Sequence, residues 1–416
     1  MAMERVKQLA SHLISPSGGR AVLERKNPDD IVITLAIRSP LCKAKSGGLK
    51  DTRSDELLTE MFKQAISHSK IDPSVIGDIT VGTVLPRAPM YEARSAALAA
   101  GIPQSVPVQT VNRFCSSGLM AVTSIANQIR AGQISVGLAV GVDSMTFNPD
   151  QGPDPASSEI SCHATAADAL KPMGWTSENV AGDYSISRED MDAFAAASFQ
   201  RAERAQNSGW FESEIVPFHA FKKDPKTGER EAVVVSRDDG IRAGTKKEAL
   251  LKIRSAFPQW APSQTTGGNA SQNSDGAAAV LLMTRRKAEE LGQPILGKYV
   301  TTSVAGLAPR VMGIGPTYAI PMVLEATGLT KEDVDIFEIN EAFASMLVYC
   351  VRTLDLDHEK VNVNGGAIAL GHPLGCTGAR QVVTGLNELK RRGGKVLVTS
   401  MCIGTGMGAA AVFIRE

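Results

Sequence analysis

The chain has no surplus of either charge: 44 Lys and Arg balance 44 Asp and Glu over 416 residues. Such a balance gives no electrostatic reason for nucleic acid or an acidic surface to be the main partner. Aromatic residues are few, at 5%. No apolar run reaches about 18 residues, which excludes an ordinary membrane-spanning helix. Cysteines are sparse and unpatterned. Six of them (Cys42, Cys115, Cys162, Cys350, Cys376 and Cys402) in so long a chain make no disulfide scaffold, and no CxxC pair or Cys/His cluster has zinc-ligand spacing. Free thiols suit a reducing compartment, and no metal is expected.

What the chain does have is glycine, 38 residues in all, and much of it frames three reactive groups. These frames are Asn112-Arg113-Phe114-Cys115-Ser116-Ser117-Gly118, Gly371-His372-Pro373-Leu374-Gly375 and Cys402-Ile403-Gly404-Thr405-Gly406-Met407-Gly408. A thiol with a base and small neighbours is what acyl-thioester chemistry requires. Two thiols allow one to be a nucleophile and the other a proton carrier.

Cys115 stands just before a helix predicted to open at Ser116 or Ser117, where the dipole and free N–H groups favour a thiolate. The plainer alternative is a small buried cysteine in a tight turn. Glycines at 365, 366, 371, 375 and 378, with Asn362, bend the backbone around His372, whose neutral imidazole suits a thiol near pH 7. Cys402 follows a strand predicted over 396–400, and the glycines after it leave N–H groups open. Because 409–414 reads as a strand, those glycines are no dinucleotide fingerprint. Cys376, in a similar turn beside the base, reads as packing. Asn340-Glu341-Ala342-Phe343 closes a strand predicted over 335–339. Its Asn340 amide suits an oxyanion or a bound water, or else caps the next helix. Gly267-Gly268-Asn269-Ala270-Ser271 is a small-residue loop before a strand predicted over 277–283.

The chain also reads as one unit used twice. Residues 71–82 match 329–340 as helix end, turn and buried strand. Residues 115–140 match 375–400 as glycine-rich turn, helix and strand. Such β-α-β units favour a parallel or mixed sheet covered by helices. Between the copies, 147–271 opens on Asn148-Pro149-Asp150 and carries a helix capped by Ser187 with Asp190. A basic stretch, 222–254, follows. The predicted division is a targeting segment and linker over 1–29, a first half over 30–146 plus 272–294, an inserted lobe over 147–271 and a second half over 295–416.

At the start, Val6, Leu9 and Leu13 share a helical stripe. Arg5-Val6, five residues, then His12-Leu13 resembles an N-terminal peroxisomal import signal, the alternative being a frayed amphipathic tail. Glu4 and the shortage of arginine disfavour a mitochondrial presequence.

Together the frames resemble the thiolase family over residues 30–416, through 111–129, 268–271, 340–343, 362–378 and 400–410. The degradative, peroxisomal branch is the nearest in pattern. The resemblance implies an α/β fold in five layers, α-β-α-β-α, with two mixed five-stranded sheets and an inserted loop domain. It implies thiolytic (retro-Claisen) cleavage of a 3-ketoacyl-CoA by CoA in fatty-acid β-oxidation, through an acyl group on Cys115. By the same resemblance His372 is the base, and Cys402 protonates the leaving enolate. Asn340 with His372 serves one oxyanion, and the N–H groups of Cys115 and Gly404 serve the other. Ser271, Arg242, Met173 and Phe343 are the expected CoA and substrate contacts. CoA is a substrate and no cofactor is implied. A homodimer in the peroxisome is expected, with an import receptor reading residues 5–13; mitochondrion and cytoplasm are the alternative locations. Residues 256–266 follow no part of the pattern. A biosynthetic relative would share every catalytic residue. A decarboxylating condensing enzyme would put a second histidine at Asn340 and lack the Cys402 thiol.

Overall fold

In the computed structural model, which describes residues 19–416, the buried apolar runs pair into two sheets that touch at one edge. The predicted helix over 5–13 lies outside the described residues. In chain order the strands are β1 (Ile31–Arg38), β2 (Cys42–Lys43), β3 (Asp78–Gly82), β4 (Val108–Val111), β5 (Val136–Ser144), β6 (Phe218–Lys223), β7 (Arg230–Val235), β8 (Ser274–Thr284), β9 (Gly297–Gly306), β10 (Ile336–Ile339), β11 (Val396–Ile403) and β12 (Met407–Arg415). The principal helices are α1 (Ser54–Ser69), α2 (Pro89–Ala99), α3 (Ser117–Arg130), α4 (Met173–Asp183), α5 (Arg188–Asn207), α6 (Pro316–Thr327), α7 (Ala344–Leu354) and α8 (Leu374–Arg392).

The first sheet runs β4-β3-β5-β8-β1 and the second β9-β12-β11-β10, joined where Val32 and Ile33 of β1 pair with Lys298 and Gly297 of β9. The duplication is explicit in strand direction. β3 is parallel to β5, which is antiparallel to β8, and β8 to β1. Likewise β10 is parallel to β11, which is antiparallel to β12, and β12 to β9.

One strand differs between the copies. Where β3 pairs with β4 through Ile79–Val108, β10 makes only the single bridge Phe337–Val361. The second sheet therefore has four regular strands and a fifth reduced to that bridge. The next residue, Asn362, explains why: its side chain accepts from Ile339 N at 2.8 Å and donates to Ile339 O at 2.8 Å. A side-chain amide thus replaces the backbone pairing a strand would give.

Alternation along the strands sets the layers. Ala277, Ala279, Leu281 and Met283 of β8 pack with α1 and α2, whereas Ala278, Val280 and Leu282 face α3 and α8. In β12, Ala409, Ala411 and Phe413 face that same central pair, while Ala410, Val412 and Ile414 pack with α6 and α7. The order is helix, sheet, helix, sheet, helix, as expected. With both faces of each sheet covered, the strands read as continuous apolar runs.

Backbones touch in the central layer. A Cβ at Gly118 would stand 2.5 Å from Gly375 O, and one at Gly378 would stand 2.4 Å from Leu119 N. Only glycine allows α3 and α8 to cross this closely. Two buried ion clusters flank the crossing: Arg380 with Glu338 at 2.8 Å, and Arg38 with Glu214 at 2.6 Å and Asp238 at 2.7 Å.

Between β5 and β8 lie α4, α5 and the β6–β7 hairpin. α5 carries the predicted Ser187–Asp190 capping box. Residues 256–266, which fitted no pattern, close a loop in which Ala256 N donates to Thr265 O. Glu178 of α4 holds that loop by accepting from Gln264 N at 2.9 Å and Thr265 N at 2.7 Å. At the N-terminal end of the described chain, Leu23 is buried among the α6 side chains and Arg20 reaches Asp335. Among the described residues no helix is long and apolar enough to cross a membrane, and no group of three or more His, Cys, Asp or Glu could hold a metal ion.

Candidate active site

A sharp, self-bonded turn presents Cys115. Phe114 takes the left-handed conformation at φ 44°, uncommon for a large side chain. Its N–H donates to Asn112 Oδ1, the Ser117 hydroxyl donates to Phe114 O, and Arg113 N donates to Ser117 Oγ. α3 then begins at Ser117, as the spacing predicts.

The second thiol lies elsewhere than expected. Cys402 is inside β11, paired with Gly408 of β12, because the glycines after it continue the antiparallel ladder. A thiolate at Cys402 would be disfavoured by one at Cys115, whereas the Gly404 N–H would favour a Cys115 thiolate. Just past the end of β10, Asn340 N donates to Ser400 O within β11. Asn340 caps no helix: α7 starts at Ala344 with Phe343 before it. Its Nδ2 lies 3.2 Å from His372 Nε2, while its Oδ1 is buried with no partner among the described residues. His372 is in turn held by its backbone N–H on Gln272 O and by Nδ1 at 2.6 Å from Thr377 Oγ1. Cys115, Asn340, His372 and Cys402 are all buried, from 1% to 7% exposed.

Burial pushes the Cys115 thiol up to about 11, against the opposing pull of the Gly404 N–H. It pulls His372 down to about 3, helped by the buried Arg380 guanidinium. Burial also raises Cys402 well above the usual thiol range, as do the nearby Cys115 and Cys350. The resting pair is therefore thiol and neutral imidazole, not the helix-stabilised thiolate expected from position. Burial is the main reason, and a local one adds to it. The N–H groups of Ser116 and Ser117 already donate to Arg113 O and Phe114 O, so they are not free to stabilise a thiolate.

The expected substrate contacts separate into two groups. Met173 at the start of α4 and the Phe114 ring lie over Gly404: a Cβ there would be 3.7 Å from Met173 Sδ and 3.5 Å from Phe114 Cγ. Phe343 is bridged to Ala270, and Ser271 N donates to Ala342 O, so the loops 268–271 and 340–343 are tied together. Arg242 donates to Gly267 O at 3.1 Å and stacks on Phe199, which places it beside the same loop. Cys376 is sealed in the central core, as its packing role predicts.

Residue types alone did not mark three supports of this site. Asp143 at the end of β5 accepts from Gly375 N at 2.6 Å and from Thr83 Oγ1, Val84 N and Leu85 N, clamping the first turn of α8. Glu341 accepts from Ser198 Oγ, Asn362 Nδ2 and Ile368 N, linking the Asn340 and His372 loops. Gln272 donates to the carbonyls of Gly240, Ile368 and Ala369. For Asp143, the signal was a lone acid in a strand that is otherwise apolar.

Two buried thiols, and a buried imidazole held between Asn340 and Thr377, are groups suited to acyl and proton transfer. Comparison with known proteins agrees with such chemistry. Residues 31–286 match the family description "Thiolase, N-terminal domain" and residues 293–415 match "Thiolase, C-terminal domain". The chain is 52% identical over 419 residues to the peroxisomal 3-ketoacyl-CoA thiolase of Yarrowia lipolytica, covering 100% of both. It is 50% identical over 422 residues to the human peroxisomal 3-ketoacyl-CoA thiolase, covering 99% of both. The crystal structure of the dimeric peroxisomal thiolase of Saccharomyces cerevisiae superposes with a TM-score of 0.88 at 48% identity, over 95% of this chain and 100% of that one. Human mitochondrial 3-ketoacyl-CoA thiolase in complex with CoA superposes with a TM-score of 0.81 at 35% identity, over 93% and 98%. Matched in both halves and along its full length, the chain belongs to the thiolase family.

Proposed function

We propose that this protein cleaves 3-ketoacyl-CoA with CoA, giving acetyl-CoA and an acyl-CoA shortened by two carbons, in peroxisomal fatty-acid β-oxidation. What supports the reading is a pair of buried, electrostatically linked thiols, Cys115 and Cys402, together with a buried histidine held by Asn340. His372 Nε2 takes the Sγ proton as Cys115 attacks the 3-keto carbon. The C2–C3 bond breaks, and Cys402 gives its proton to C2 of the departing acetyl-CoA enolate. Cys402 then takes the thiol proton of incoming CoA, whose sulfur attacks the acyl thioester and frees Cys115.

Two oxyanions form along this path. One is served by His372 and a water on Asn340, the other by the N–H groups of Cys115 and Gly404; each such donor is worth roughly 3 kcal/mol of barrier. The neutral resting pair means that the proton leaves Cys115 only when a carbonyl is in place. Met173 and Phe343 are assigned to the acyl-pantetheine end. Ser271 and Arg242 are assigned to the CoA entrance, shaped by the lobe over 147–271. CoA is a substrate, and the scheme needs no cofactor. The protein acts as a homodimer, and residues 5–13 are its address for the peroxisomal import receptor.

The test is a thiolysis assay across acyl lengths with wild-type, Cys115→Ala and Cys402→Ser proteins. Near-complete loss is expected with either change. Appreciable turnover by Cys402→Ser would remove that thiol from proton transfer. Turnover of acetoacetyl-CoA but not of longer substrates would favour the biosynthetic relative.

A further inference from the structure

We propose that Thr377 is a positioning residue that fixes the tautomer of His372, keeping the lone pair on Nε2. This rests on the reading of His372 as the base and adds how the ring is held ready for that role.

The number of hydrogens at Thr377 and His372 fixes the tautomer. Thr377 Oγ1 lies 3.0 Å from Pro373 O and 2.6 Å from His372 Nδ1. A hydroxyl has one hydrogen, and a carbonyl oxygen can only accept. Thr377 sits in the first turn of α8, four residues after Pro373, where a threonine hydroxyl habitually bonds back to that carbonyl. Its hydrogen is thereby committed, and its oxygen accepts from Nδ1–H. A neutral imidazole has one N–H, so Nε2 is left with the lone pair. The other side of the ring agrees. Nε2 faces Asn340 Nδ2, a donor, at 3.2 Å.

The opposite tautomer would set Nε2–H against the hydrogens of the Asn340 amide. His372 is 5% exposed and Thr377 1%, so water offers no compensation. An unsatisfied buried donor of this kind is disfavoured, because it loses its bond to water and gains none in return. When the Cys115 proton arrives at Nε2, the ring becomes a cation that donates from both nitrogens. Thr377 Oγ1 then receives a charge-assisted bond, and it keeps that contact when the proton leaves.

Thr377→Val removes the acceptor at nearly constant volume, and Thr377→Ser keeps it. We expect Thr377→Val to lower kcat for thiolysis about 10- to 100-fold with KM little changed, and Thr377→Ser to stay within about threefold of wild type. A second readout is the rate of Cys115 alkylation by iodoacetamide. The Thr377→Val deficit should narrow between pH 7 and pH 10 as hydroxide takes over removal of the proton, which a merely structural lesion would not show. Nitrogen-15 spectra of the unaltered protein test the assignment without any variant: His372 should be protonated at Nδ1 when neutral.

Protonation at Nε2 instead, wild-type kcat in Thr377→Val, or equal losses in the valine and serine variants would each overturn the proposal. His372→Asn serves as the control for the base itself. If it stays active, the base role falls. If it is inactive while Thr377→Val turns over normally, only the tautomer assignment falls.

Discussion

At Gly404 a side chain can be added without disturbing the fold, which isolates what the glycine does for the site. An added Cβ would meet Phe114 and Met173 at ordinary contact distances. Gly404→Ala should therefore melt like wild type yet lose kcat/KM by about tenfold or more, because displacement of about 1 Å in a reacting group can cost about 100-fold. The low value of His372 and the high value of Cys115 carry a second expectation. Between about pH 5 and about pH 9 neither group titrates, so iodoacetamide should label Cys115 at a rate nearly independent of pH. The label should also go there sooner than to the exposed Cys162 or to buried Cys42. A rate climbing tenfold per pH unit would show that a thiolate, formed without the histidine, is the reactive species. Cys115, His372 and Cys402 stand out in the sequence as candidates because glycine frames them locally. Asp143 could not: its key partner Gly375 is 232 residues away, and only folding makes a lone acid in a strand into a clamp.

Among the elements, the crossing of α3 and α8 sets the geometry of the site, since one follows Cys115 and the other follows His372. Gly118→Ala would push a methyl against Gly375 O. Overpacking of this sort typically costs about 1–3 kcal/mol, and here it should lower both the melting temperature and turnover. Beside the crossing, the Arg380–Glu338 pair can be tested by a double-mutant cycle. Arg380→Met or Glu338→Leu alone should destabilise by about 3–5 kcal/mol, and the double variant by less than either. Arg380→Met should also let the His372 value rise, since the guanidinium is one of the two causes holding it down. The existence and type of these helices were readable from apolar spacing and caps. Strand ends were not. β11 runs through Cys402 to Ile403 because β12 pairs with it there, and glycine-rich sequence does not announce such pairing. The reduced fifth strand was equally hidden, since Asn362 stands in for backbone only once Ile339 is beside it.

For the whole molecule, two buried acids give stability an inverted response to pH. Burial raises Asp143 from 3.8 to about 6 and Glu338 from 4.5 to about 7. A group raised in the folded state contributes stability that is fully present below its unfolded value and lost as pH rises through the folded value. These two groups therefore favour the folded chain at about pH 4 and withdraw that support by about pH 7. Asp143→Asn should flatten the denaturant midpoint measured across this window; a steeper dependence in the variant would reject the assignment. The doubled plan of the molecule was visible in the sequence as two stretches in register. Its asymmetry was not.

That asymmetry limits how many reactions the molecule can run. Matching residues 115–140 to 375–400 puts Gly375 in the second copy where Cys115 stands in the first. A Cβ at Gly375 would be 2.6 Å from Gly82 O and 2.6 Å from Val142 O, so no side chain of any kind fits. The mirror-image workplace has been filled in by the backbone of its twin, and each polypeptide carries one acyl group at a time.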